Sequence, residues 1–171
     1  MSSENIKRFA IGEIKYKDLD GDHEITDNDR TIIGKTTPDY TFGITNSFSW
    51  KGFSLSFFLQ GSVGNDLFNA NLRDVRLDDI GNIPRSAYES RWTPETAASA
   101  YWPKNVSSRN RDMKISDRYV EDASYLRLKN LNFGYNFKPH WKGVSNIYVY
   151  ASATNLFTIT GYSGMDPDVN A

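Results

Sequence analysis

Asp18, Asp20 and Asp22 stand two residues apart in the stretch DLDGDHEITDND, Asp18 to Asp29, and this spacing is that of a loop built around a hard cation. Carboxylates at positions one, three and five of twelve are followed by Glu24 at seven, which would offer its backbone carbonyl. Thr26 at nine would reach through its side chain or a water, and Asp29 would close the shell at twelve. Ile25 at eight supplies the expected apolar anchor. Calcium takes several oxygens at about 2.3–2.6 Å, and carboxylates this dense repel one another unless something neutralises them. Ca2+ is therefore the expected structural cofactor, with a solvated acidic turn as the alternative.

Two positions depart from the usual pattern. His23 occupies position six, where glycine normally allows the sharp turn, and Asp29 is shorter than the bidentate glutamate common at twelve. Weak affinity or competition from magnesium is expected in consequence. No helical periodicity flanks the loop, so it is not a helix–loop–helix sensor, and it is similar instead to dockerin-type loops, in which aspartate closes the shell.

Trp92, Tyr101 and Trp102 lie among arginines between Asn65 and Arg118, a mixture that can stack on sugar rings and hydrogen-bond their hydroxyls. The competing reading is that these aromatics pack the segment onto itself. Thr93 and Pro94 look like an N-cap and a first helical residue, which predicts a short helix over 95–100. Catalysis finds no support. His23 and His140 are the only histidines, cysteine is absent, and there is neither a G-x-S-x-G elbow nor zinc-ligand spacing. An enzyme is not expected.

The elements that must carry these loops are strands. Tyr40, Phe42, Ile44, Phe48 and Trp50 alternate with Thr41, Gly43, Thr45, Ser47 and Ser49, broken only by Asn46. Phe53, Leu55, Phe57 and Leu59 repeat the pattern after Lys51-Gly52, a two-residue link suited to a tight hairpin. Leu131, Phe133, Tyr135 and Phe137 predict a third strand. Leu126 and Leu128 fall in the opposite phase, so a bulge or an exit from the apolar belt is expected between them. Residues 147–159 predict a fourth strand, whose polarity Tyr148 and Tyr150 obscure. A soluble antiparallel sheet has the same two-residue period. The runs, however, approach the roughly 9–11 residues that a tilted strand needs to cross a bilayer, against about 5–6 for ordinary strands.

Loop lengths alternate as well: short at Lys51-Gly52, long from about 64 to 120, short over 138–145, then opening after Tyr162. Transmembrane barrels alternate short periplasmic turns with long extracellular loops. The expected organisation is an extracellular segment with the acidic loop (1–37), a hairpin (38–63), a long extracellular loop (64–120), a second hairpin (121–162) and the start of another extracellular loop (163–171). The 171 residues are 39% hydrophobic with a net charge of −1, which gives no electrostatic footprint for nucleic acid. No apolar run approaches the roughly 18 residues of a membrane helix. MSSENIKRFA lacks the apolar core of a signal peptide, so export is expected to need upstream sequence.

Four blocks in order resemble the C-terminal part of the SusC/RagA family of TonB-dependent outer-membrane transporters of Bacteroidota: GEIKYKDLDGDHEITDNDRTIIGKTTPDYTFG, WKGFSLSFFLQGSVGNDLFN, VEDASYLRLKNLNFGYNF and NLFTITGYSGMDPDV. The resemblance covers nearly the whole chain from Gly12. It implies an all-β architecture of antiparallel strands with little helix, forming part of a large transmembrane β-barrel in the outer membrane. It further implies a SusD-like surface lipoprotein as partner, TonB acting through an N-terminal plug, and uptake of a glycan or peptide nutrient. Four strands do not close a barrel, for which about eight is the minimum, so the chain is expected to be a fragment. The rival expectation is a soluble, calcium-stabilised extracellular β-domain that binds glycan or protein. It would have to cover the apolar face of Tyr40 to Phe57, which a barrel turns to lipid.

Overall fold

The computed structural model describes residues 11–74, 82–105 and 115–168. They fall into two compact units, one drawn from the segments up to Ile33 and from Ala70 to Tyr119, the other from Gly34–Asn69 and Val120–Ala171.

The second unit is the sheet. β1 (Tyr40–Trp50), β2 (Phe53–Val63), β5 (Tyr125–Phe137) and β6 (Ile147–Thr160) lie antiparallel in the order β1-β2-β5-β6. β3 (Asp66–Phe68) pairs with β4 (Val120–Asp122) in a separate two-stranded ribbon. Lys51 and Gly52 both have positive φ, 44° and 89°, the geometry of a two-residue hairpin turn whose twist matches its strands. The expected first hairpin is therefore present, with β2 one residue longer than its alternation suggested.

The register resolves the phase conflict in β5. Phe57 faces Leu131 and Phe58 faces Asn130, but Leu59 faces Leu128, which leaves Lys129 as an extra residue in β5. This bulge returns Leu126 and Leu128 to the face that carries Leu131, Phe133 and Tyr135. The β5–β6 ladder is irregular at the same level, where Asn155 adopts φ 50°. Below it Ile147, Val149, Ala151 and Ala153 join the apolar face opposite Phe137, Tyr135, Phe133 and Leu131. Tyr148 and Tyr150 point with Asn136 and Gly134 to the other face.

Apart from Asn46, one face of the sheet is thus apolar across all four strands, and the other carries hydroxyls, carboxamides, glycines and phenols together with Phe58, Arg127 and Lys129. Among the described residues of this unit nothing covers the apolar side: Ile44, Phe48, Phe133, Val149 and Ile159 are between 48% and 62% exposed. Trp50, Phe53, Tyr135 and Phe137 gather at the end that bears the Lys51-Gly52 turn, with Phe53 and Tyr135 rings 4.4 Å apart.

At the other end β2 and β5 run on into the β3–β4 ribbon. The joint is held by Ala123 N donating to Asn65 O (2.8 Å), Gly64 N to the Ser124 hydroxyl (2.9 Å) and the Ser62 hydroxyl to Asn65 Oδ1 (3.0 Å). Gly64 sits there at φ 87°, and a Cβ on it would run into the Asp39 carboxylate. Gly64→Ala is expected to cost about 1–3 kcal/mol, the usual cost of left-handed backbone on a non-glycine residue. A lowered urea midpoint is the readout, and an unchanged midpoint would contradict this account of the joint.

The first unit contains two short helices, α1 (Ala70–Asp74) and α2 (Arg85–Glu89). Ala87 and Trp102 form its small core, with Leu72 and Ile83 packed against them. The helix expected over 95–100 does not form. Thr93 does cap, its hydroxyl accepting from Thr96 N (3.2 Å), but Thr96 O takes both Ser99 N and Ala100 N. The next amides, of Tyr101 and Trp102, donate instead to Ser90 O at 2.9 and 3.0 Å. The segment stops after one turn because Ser90 O takes the two amides that would have extended it.

Candidate functional site

The acidic loop folds on its own aspartates. Asp18 Oδ1 and Oδ2 accept from Gly21 N (2.6 Å) and His23 N (2.9 Å). Asp20 accepts from Asp22 N (3.1 Å) and Asp22 from Glu24 N (2.7 Å). These turns bring one carboxylate oxygen each of Asp18, Asp20 and Asp22 within 4.8 Å of one another, a spacing that an oxygen shell of about 2.3–2.6 Å radius accommodates. His23 adopts φ 67°, so position six takes the left-handed turn even without glycine. Asp29 stands outside the converging trio. Its two oxygens accept from Leu19 N and Thr26 N, both at 2.7 Å, and close the loop through the backbone. The Thr26 hydroxyl accepts from Asn28 N at 3.1 Å and caps the short 3-10 turn over Asp27–Asp29.

The three aromatics part company. Trp102 is 8% exposed and belongs to the core with Ala87. Trp92 is half-buried, its ring lying over Gly12. Tyr101 is 59% exposed, with the Arg118 guanidinium 4.4 Å from its ring centroid and donating to its carbonyl at 2.7 Å.

The polar face of the sheet holds a cluster that alternation did not reveal. Arg127 and Lys129 are the only charged residues in β1, β2, β5 and β6. The Arg127 side chain is 8% accessible, and its Nε donates to the Thr158 hydroxyl at 2.9 Å. One Nη pairs with Asp166 and the other with Asp168 Oδ2 at 3.3 Å. Lys129 Nζ donates to Gln60 Oε1 at 2.9 Å and lies 4.0 Å from Asp168. Residues 161–168 therefore fold back from the end of β6 as a strap onto the polar face. Ser163 pins the strap a second time, N and Oγ both donating to Glu121 at 2.7 Å, with Asn69 Nδ2 donating to Ser163 Oγ at 3.0 Å. The signal that could have found the site is a lone pair of cations in long uncharged strands, followed by an Asp-Pro-Asp after the last one.

Asp166 is held below the ordinary carboxylate range chiefly by the Asp168 N–H it accepts; burial opposes this, and the hydrogen bond and charge of Arg127, with the charge of Lys129, add to the lowering. A carboxyl whose folded pKa is depressed stabilises above its unfolded pKa and loses that contribution as pH falls through the folded value. The strap is accordingly expected to stay seated at neutral pH and to loosen only below about pH 4, the unfolded carboxylate value. Amide exchange over 161–168 checks this, and loosening near pH 6 would contradict it.

Along the same face Thr45, Ser56, Phe58, Asn130 and Asn132 line a shallow groove of about 320 Å³, with the Phe58 ring lying over Gly43. Among the described residues no helix is long and apolar enough to cross a membrane. The strands have the length, the two-faced alternation and the aromatic end belt of a different solution, the wall of a transmembrane β-barrel.

No protein-family model matches the chain. TonB-dependent receptor P3 of Formosa agariphila is 38% identical over 162 residues, which is 93% of this chain and 16% of that protein. TonB-dependent receptor SusC of Bacteroides thetaiotaomicron is 31% identical over 165 residues, again 93% and 16%. Among solved structures, the RagAB peptide transporter superposes with a TM-score of 0.69 at 26% identity over 85% of this chain and 16% of that one. The chain belongs to the TonB-dependent receptors of the SusC/RagA type, spanning about a sixth of the length of these relatives.

Proposed function

We propose that this chain is a sector of the barrel wall of a TonB-dependent outer-membrane transporter that imports glycans or peptides together with a SusD-like surface lipoprotein. TonB supplies the energy through a plug elsewhere in the receptor. The observation that carries the reading is the apolar face that runs across four long strands, interrupted at Asn46 and restored at β5 by the Lys129 bulge, with an opposite face that is polar except at Phe58. In water such a face is a liability. Against lipid it is the requirement. The polar face then lines the lumen, the Lys51-Gly52 turn lies on the periplasmic side, and the β3–β4 ribbon and the acidic loop lie outside the cell. Of the three loop aromatics, exposed Tyr101 beside Arg118 is the one placed to meet a solute, while Trp102 and Trp92 support the loop. An antibody against this chain, applied to fractionated native cells, tests the reading. A heat-modifiable band in the outer-membrane fraction is expected, and a soluble band would overturn it.

On the same reading the Asp18–Asp29 loop holds a structural calcium ion. Asp18, Asp20 and Asp22 would supply carboxylate oxygens, Glu24 its carbonyl and Thr26 a hydroxyl or bridged water, with Asp29 holding the loop closed. Bound calcium neutralises the carboxylate repulsion and stiffens the turn. Asp20→Asn keeps an oxygen to accept the Asp22 N–H but removes a charge. It is expected to weaken calcium binding about tenfold, on the order of 1.4 kcal/mol, by loss of attraction to the cation. Calorimetric titration of the purified receptor checks this, and equal heats for the two proteins would contradict it.

A further inference from the structure

Two cations on β5 in a sheet whose four strands carry no other charge is an unusual arrangement, because a buried guanidinium is tolerated only when something neutralises it. Arg127 has three donors engaged and its side chain is 8% accessible, yet none of the carboxylates it meets comes from a strand of the sheet. They come from the strap, 39 and 41 residues further along the chain. Asp166 and Asp168 remain 48% and 30% exposed over the covered Arg127, with Lys129, itself 40% exposed, 4.0 Å from Asp168; the wall fixes Arg127 through Thr158 and Lys129 through Gln60. Pro167 between the two aspartates is buried, so the strap presents both acids from one side of a stiff link.

We infer that Arg127 and Lys129 form a carboxylate-binding site on the polar face, and that the strap's own Asp166 and Asp168 occupy it as an internal ligand. A seated strap leaves the wall electrically neutral. When the strap lifts, it bares a preorganised cation pair in a partly desolvated setting, where charge-assisted bonds to a carboxylate are strong. An acidic group arriving from outside can then take the place of Asp166 and Asp168 and hold the strap open. Solute and strap compete for one site, so an anionic solute shifts the strap by as much as its affinity for the bared pair allows. The inference rests on the polar face lining the lumen, as proposed above.

The test uses the full-length receptor purified in detergent, with a spin label on Met165→Cys, a strap position that is 94% exposed. A fluorescein-labelled tetra-aspartate peptide and a tetraserine control are the probes. Asp166→Asn with Asp168→Asn keeps the strap's size and removes its charge. In that variant the label is expected to become mobile and tetra-aspartate to bind at least tenfold tighter than to the parent, while tetraserine is unchanged. Adding Arg127→Gln is expected to leave the label mobile and abolish the gain. The site is refuted if the label is freed without tighter binding of tetra-aspartate, if the gain survives Arg127→Gln, or if the label stays immobile. Should the paired variant fail to assemble, Asp168→Asn alone leaves Asp166 on Arg127 and is expected to give an intermediate gain; no gain there refutes the site equally. Strap mobility reports on the latch itself, whereas a failure of the transporter reading would appear in the cell fractions.

Discussion

Ile44→Arg in the full-length receptor should destabilise the barrel by about 2–4 kcal/mol, the cost of arginine on the lipid face at the bilayer midplane. Ile44 lies on the apolar face opposite Leu59, about midway along β1, and is 48% exposed on a surface that nothing among the described residues of its own unit covers. Moving the arginine along the same face to Phe48 and then to Trp50 should reduce the penalty to about 0–1 kcal/mol, because the charge reaches the interface and snorkels into water. The neighbouring change Thr45→Arg, one residue away on the polar face, should alter stability by no more than about 0.5 kcal/mol, as exposed substitutions do. Urea unfolding of the receptor refolded into lipid bilayers measures the series. A penalty of constant size from Ile44 to Trp50 would mean that the face is packed against protein.

Deletion of Lys129 should abolish assembly, whereas Lys129→Ser should leave the barrel intact with a loosened strap. Lys129 is the residue by which β5 exceeds β2 between the Phe57–Leu131 and Leu59–Leu128 pairs. Without it, either the apolar set Leu126 and Leu128 or the set Leu131, Phe133 and Tyr135 must turn to the lumen, since a one-residue slip reverses every side chain beyond it. If it is Leu126 and Leu128 that reverse, Arg127 is carried from the polar face towards lipid, where its cost adds to that of the misplaced leucines. Heat-modifiable electrophoresis of outer membranes reports assembly directly. A deletion variant that assembles normally would show that the bulge does not set the faces.

Much of the wall was legible in the sequence because a two-residue period, a Lys-Gly turn and strand length are local properties. Even the bulge announced itself, as two leucines out of phase with the four apolar residues that follow. What it did to the faces was not legible, since that depends on which residue of β2 stands opposite Lys129. The β3–β4 ribbon escaped notice because three-residue strands are too short to show a period, and their partners lie in the two arms of a long segment. The helix expected after Thr93-Pro94 illustrates the converse: the cap formed, but Ser90 O captured the amides that would have extended it. In the acidic loop the spacing foresaw which aspartates converge, while Asp29 turned out to tie backbone amides rather than join the trio. The latch was hidden most completely. Arg127 reads as an ordinary polar-face residue until the fold brings Asp166 and Asp168 back across the sheet.

The central claim is that one face of this sheet lies in lipid and the other in water, with the phase changing at Lys129. A single-cysteine scan along Tyr125–Phe137 of the full-length receptor, labelled in intact outer membranes with a water-soluble maleimide, tests it most directly. Cysteines at Asn130, Asn132 and Asn136 should react, those at Leu126, Leu128, Leu131 and Phe133 should not, and the even-numbered pattern should invert across Lys129. Strict alternation through Lys129, or equal labelling of both faces, would contradict the account.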